Sequence, residues 1–180
     1  MIWEENAPLK TNITGIVGGV LAFVSLALPW WTMSISGGGV SVDVSVYPYM
    51  ASMSGFGMAA LDLWYGWVAL ALIILGGLLG IVGSVKPSIR KLLAVGGALA
   101  LVSIIIFAVG LQVTLLEGLL GMNVYLFSSG TIDSANYFAY LSFGLWIALV
   151  AAIVMFVASR KKPAEAAAYP PPPPPPAAYY

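Results

Sequence analysis

Four stretches of the chain hold no charged residue and are each about long enough to cross a bilayer: residues 13–30, 63–85, 92–116 and 137–159. A hydrocarbon core of ~30 Å needs about 20 apolar residues at 1.5 Å rise per residue. In a chain of 180 residues, four such runs leave little for a separate soluble core. Charged residues are 8% of the sequence, against roughly 25% in soluble domains, and the mean hydropathy is +0.98. The expected fold is therefore an all-α membrane protein: a bundle of four transmembrane helices with a small extracellular β-hairpin. Residues 1–162 make up this domain, with outer loops at 31–62 and 117–136.

The positions of the charges orient it. Lys10, Lys86, Arg90, Lys91, Arg160, Lys161 and Lys162 all fall on one side of the four runs, and the outer loops contain no Lys or Arg. The positive-inside rule then places both termini and the loop Lys86–Lys91 in the cytoplasm of a cell-membrane, multi-pass protein. Asn12-Ile13-Thr14 matches a glycosylation pattern but lies on the wrong side to be modified. A rival reading takes the first run as a cleaved signal peptide, because Ser25-Leu26-Ala27 approximates a small-x-small site. The acidic lead residues Glu4 and Glu5, and an apolar run that continues past the site, oppose it.

Composition excludes several chemistries. The chain has no cysteine and no histidine, so disulfides, thiolate nucleophiles, a histidine base and ordinary zinc, haem or copper sites are ruled out. No cofactor is implied. A net charge of zero gives no field for nucleic acid. Asp43, Asp62, Glu117 and Asp133 lack the spacing of a calcium loop and read as solvated headgroup-level charges. No Walker loop, G-x-S-x-G elbow or dinucleotide fingerprint occurs. An enzyme is not expected.

Trp30 and Trp31 after the first run, and Trp64 and Trp67 at the start of the second, are expected as interfacial anchors. From Trp31 to Tyr47 apolar and polar residues alternate around Gly37-Gly38-Gly39, the pattern of a β-hairpin whose valine face needs a cover. Pro48 to Ala60 has no period and reads as loop. Gly76-x-x-x-Gly80 has the spacing that lets helices approach closely. Val17 to Ser25 and Val95 to Ser103 share the frame V-G-G-x-L-A-x-V-S. Duplication of a helical hairpin accounts for this, with coincidence among apolar residues as the alternative. Duplication would place Gly18-Gly19 and Gly96-Gly97 in equivalent packing positions. The strongest polar candidate within a run is Gln112, ahead of Ser25, Ser103 and Ser142. Such residues more often bond between helices or to their own backbone than bind a ligand.

Residues 163–180 form a proline-rich cytoplasmic tail expected to be disordered overall. Its run Pro170–Pro176, with Pro173 at the centre, is flanked by Tyr169 and by Tyr179-Tyr180. Proline fixes φ and lacks an N–H, which favours a polyproline II rod. Such a rod is either a ligand for a cytosolic polyproline-binding protein or a spacer.

Four spans, termini inside, and a β-containing first outer loop that opens on Trp30 or Trp31 resemble the claudin-like tetraspan class. The resemblance implies a small outer β-sheet and lateral association or an accessory-subunit role. The first outer loop, residues 31–62, lacks the Gly-Leu-Trp motif and the paired cysteines of that class. The expected function is a non-enzymatic membrane scaffold or accessory protein. It associates with other membrane subunits or with its own copies through glycine-rich helices and the outer hairpin. The alternative is a transporter or channel component for a small or apolar solute.

Overall fold

The computed structural model describes residues 11–54, 57–59, 63–85, 87–116, 124–132 and 134–160. Asn12 opens the first helix, α1 (Ile13–Leu26): its side-chain oxygen accepts from the Gly15 amide at 3.4 Å. Its side-chain amide donates to the Ala158 carbonyl at 3.0 Å. Such a cap serves backbone groups that a helix end leaves without partners. The helix stops just before Pro29, which has no amide hydrogen to extend it.

Helices α2 (Trp64–Val85), α3 (Lys91–Leu116) and α4 (Phe143–Arg160) are apolar throughout, and a 3-10 turn at Pro87–Ile89 joins α2 to α3. These three are long and apolar enough to cross a membrane, whereas α1 has 14 residues. Each helix packs on its neighbours in the chain, and α1 closes the ring against α4.

The expectation of an all-α four-span bundle is overturned by a sheet. Strands β1 (Trp31–Gly37), β2 (Val40–Val46), β3 (Ala51–Met53), β4 (Gly57–Ala59), β5 (Ser128–Ile132) and β6 (Ala135–Leu141) form one antiparallel sheet of six strands. Its order is β4-β3-β2-β1-β6-β5. The expected hairpin is present as β1–β2, turning at Gly38 and Gly39 with φ of +60° and +81°. Both left-handed angles suit a two-residue turn and favour glycine. The hairpin is nevertheless only the middle of a sheet to which the α1–α2 and α3–α4 connections both contribute.

Three boundaries move for identifiable reasons. The stretch expected as loop supplies β3 and β4. The fourth apolar run begins as β6, and its helix starts only at Phe143. Pairing with β1, which sets Ser34 opposite Phe138 and Ile35 opposite Tyr137, gives the segment ladder partners. Aromatic side chains suit that pleated surface, and apolar residues on both faces conceal the period of two. The first run ends its helix at Leu26, short of Trp30. The two helical hairpins that share the V-G-G-x-L-A-x-V-S frame differ in length. The 14 residues of α1 compare with 26 in α3, and four strands lie between α1 and α2 against two between α3 and α4.

Alternation along the strands puts Trp31, Met33, Val44, Val46, Ala51 and Ala139 on one face, in a single hydrophobic cluster with Leu63, Val124 and the helical core. The valine face is thus covered near the helices, while Val40 at the hairpin tip is 65% exposed. The other face carries Ser34, Ser36, Asp43, Asn136 and Phe138. Chain order sets the whole sheet at one end of the helices, opposite Asn12, the 3-10 turn and Arg160.

Candidate functional site

The chain leaving α1 builds the junction between sheet and helices. The Trp30 indole N–H donates to the Ser25 carbonyl at 2.9 Å, which occupies an acceptor at the end of α1. Its ring stands edge-on to Phe107 of α3, with centroids 5.1 Å apart at 73°. Phe107 in turn lies 6.3 Å from Tyr65 of α2. The Trp30 backbone N–H donates to the Val46 carbonyl, and its carbonyl accepts from Ser142. Pro29 accepts from the Gly144 amide at 2.9 Å, so residues 29 and 30 cap the start of α4. Gly144 permits this approach, because a Cβ there would lie 2.5 Å from the Leu28 carbonyl and from the Trp30 ring.

Trp31 and Gln112 meet at Leu126. The Trp31 indole N–H donates to the Leu126 carbonyl at 3.1 Å, and the Leu126 amide donates to Gln112 Oε1 at 2.9 Å. Gln112, the candidate polar site, therefore ties α3 to the segment that enters β5. Its Nε2 is buried without a hydrogen-bond partner. Of the four expected anchors, Trp64 and Trp67 are exposed, at 69% and 55%, whereas Trp30 and Trp31 are fully buried. Ser103 donates from α3 to the Ala69 carbonyl of α2 at 2.8 Å, and Ser25 bonds back to Ala22.

The six expected packing glycines all stand at helix contacts within the molecule. Met155 of α4, fully buried, fills a socket made by Gly18 of α1, Gly80 of α2 and Gly96 of α3. A Cβ on Gly18 would lie 2.7 Å from Met155 Cγ, and one on Gly80 2.5 Å from its Sδ. Gly76 and Gly96 face each other across α2 and α3. A Cβ on Gly76 would reach the Gly96 carbonyl at 2.7 Å, and one on Gly96 the Gly76 carbonyl at 2.5 Å. Gly19 meets the Gly77 carbonyl of α2 and Gly97 the Ala152 carbonyl of α4, at 2.7 and 3.0 Å for the same added atom.

A groove of about 430 Å³ lies between α2 and α3 beside the junction, lined by Trp64, Tyr65, Ile105, Val109, Gly110 and Thr114. Trp64, Ile105 and Val109 are exposed, so it opens sideways rather than along the bundle axis. Tyr65 is buried beside Thr114, whose hydroxyl donates to the Gly110 carbonyl at 3.0 Å.

Among the described residues no three His, Cys, Asp or Glu gather as metal ligands. Asp43 is the sole acidic residue among them, while Asp62, Glu117 and Asp133 lie outside. So do the tail residues Tyr169, Pro170, Pro173, Pro176 and Tyr180. No protein-family model matches the chain, and no curated protein matches it.

Sequence reasoning missed the Met155 socket, the Gly144 cap and the hold on Leu126. Gly144, two residues after Ser142 at a helix start, carries a local signal of close approach. Nothing local links Trp31 or Gln112 to Leu126, because that link requires the sheet.

Proposed function

We propose that this chain is a non-enzymatic integral membrane protein, a scaffold or accessory subunit that presents its β-sheet outside the cell to other membrane subunits or to a second copy. By the positive-inside rule, Lys10, Lys86, Arg90, Lys91 and Arg160–Lys162 keep both termini and the 3-10 turn cytoplasmic. The sheet, at the opposite helix ends, then faces outward.

The observation that carries the reading is the sheet's outer face. Phe138 is 57% exposed there among serines, with Tyr140 5.4 Å away. Tyr125 and Phe127, ahead of β5, are exposed as well. Exposed aromatic residues rimmed by polar ones are the composition of a contact surface. The sheet carries the lateral contact, because Gly18, Gly19, Gly76, Gly80, Gly96 and Gly97 already serve the molecule's own helices. The proline tail engages a cytosolic polyproline-binding protein. The claudin-like resemblance, with lateral association as its implied role, points the same way. A solute path lacks comparable support, since Met155 fills the space between the helices and Gln112 is engaged with Leu126.

Native mass spectrometry of the protein extracted gently from its own membrane tests this reading. A defined assembly is expected, and Phe138→Ser should release the partner chains while leaving the protein folded. A lone monomer that carries only small molecules would contradict it.

A further inference from the structure

At the end of the helices remote from the sheet, α4 presents Ile153, Phe156, Val157 and Arg160 along one groove of about 350 Å³. These positions recur at the three- and four-residue spacing of one helix face. Ile153 and Val157 are about half exposed, Phe156 is partly buried, and Arg160 is exposed. The groove is thus apolar along its length and cationic at its end.

Helix α3 supplies a second cation at the same level. Gly97 packs against Ala152 and Phe156, with a Cβ there 3.1 Å from the Phe156 ring. The chain reaches Gly97 from Lys91 and runs from Ala152 to Arg160, so the two helices are antiparallel. Six residues separate Lys91 from Gly97, about 9 Å along the axis at 1.5 Å per residue. Four to eight residues of α4 separate Phe156 and Ala152 from Arg160. Lys91 and Arg160 therefore end neighbouring helices level with each other, and both side chains are exposed. The one acidic residue among the described positions, Asp43, lies on the sheet at the other end.

We propose that Lys91 and Arg160 bind the phosphate of an anionic phospholipid whose acyl chain lies along Ile153, Phe156 and Val157. The occupant must be apolar over most of its length and negative at one end. It must also lie where a membrane-spanning helix meets the headgroups, which is the chemistry of a phosphatidylglycerol-type lipid. Exposed basic residues at the ends of membrane-spanning helices are suited to anionic headgroups. Arg adds a planar fork that matches phosphate oxygens. The proposal rests on the helices lying in a membrane but is independent of any protein partner of the sheet.

The test uses the full chain in neutral detergent, given equal amounts of dioleoyl phosphatidylglycerol and dioleoyl phosphatidylcholine, with bound lipid counted by native mass spectrometry. Preferential retention of phosphatidylglycerol is expected. Lys91→Gln and Arg160→Gln should each lower it about fivefold, from roughly 1 kcal/mol per cation near a charged lipid surface. Both side chains are exposed, so their loss leaves the core intact. Val157→Trp, which fills the groove and keeps the charges, should also reduce retention. Equal retention of the two lipids would overturn the proposal. So would a preference that survives the double variant, or one lost only with Lys161→Gln and Lys162→Gln. Glycerol 3-phosphate competing as well as the long-chain lipid would show headgroup recognition without the groove, and would overturn it too. Recovery of the variants in washed membranes reports on the membrane reading separately.

Discussion

Trp31 and Gln112 hold the two backbone polar groups of a single residue, Leu126, from different parts of the molecule. The indole takes its carbonyl at 3.1 Å and the side-chain amide oxygen takes its N–H at 2.9 Å. The first strand and the third helix thereby fix the segment that becomes the edge of the sheet.

Gln112→Leu should loosen that segment. It removes the acceptor for a part-buried amide, a loss of about 1–3 kcal/mol, partly offset because Nε2 has no partner to lose. Hydrogen exchange should quicken at residues 124–132 and stay unchanged in α1 and α2. Unchanged exchange at 124–132 would show that the contact does not hold the edge.

The glycines at helix contacts should differ in how they accept a methyl group. Gly96→Ala drives its Cβ against the Gly76 backbone, which must move with its helix, whereas Gly80→Ala meets the flexible end of Met155. In thermal denaturation in detergent, Gly96→Ala should be the more damaging of the two. Met155→Ala empties the socket and should cost about 2–5 kcal/mol.

Two tryptophans that look alike in sequence should behave differently. Trp30→Ala removes a fully buried ring packed on Phe107 and should cost about 3–5 kcal/mol. Trp64→Ala, at a residue 69% exposed, should leave the melting temperature nearly unchanged. Equal losses would contradict the burial that separates them.

Deleting residues 163–180 should leave the melting temperature unchanged and abolish capture of a cytosolic polyproline-binding protein. Capture that survives the deletion would make the tail a spacer.

These contrasts mark what could be read from residues alone. The helices Trp64–Val85 and Lys91–Leu116 were legible because apolar character continues beyond the length of any strand, and β1–β2 because alternation and glycine frame it. Residues 137–141 were not, since Tyr137 and Ala139 point to one face while Phe138 and Tyr140 point to the other. With both faces apolar, the stretch reads as the start of a helix. Only the ladder on β1 decides it. The glycine positions announced close packing, but their spacing does not distinguish a contact within the molecule from one with a neighbour. Met155, drawn from another helix, makes that distinction. At the candidate site, Trp30 and Trp31 carried the ordinary sign of an interface anchor, and the sheet that covers them comes partly from a segment about a hundred residues later in sequence.

In the proposed arrangement the apolar helices lie in the membrane, with the sheet outside and the turn Pro87–Ile89 inside. The chain contains no cysteine, so single cysteines can report each side against a silent background. Ser129, exposed on β5, and Ser88, exposed in the 3-10 turn, are suitable positions. Intact cells carrying Ser129→Cys or Ser88→Cys would be treated with a membrane-impermeant maleimide before and after permeabilisation. Ser129→Cys should label in intact cells, and Ser88→Cys only after permeabilisation. Labelling of both in intact cells, or the reverse order, would contradict the account.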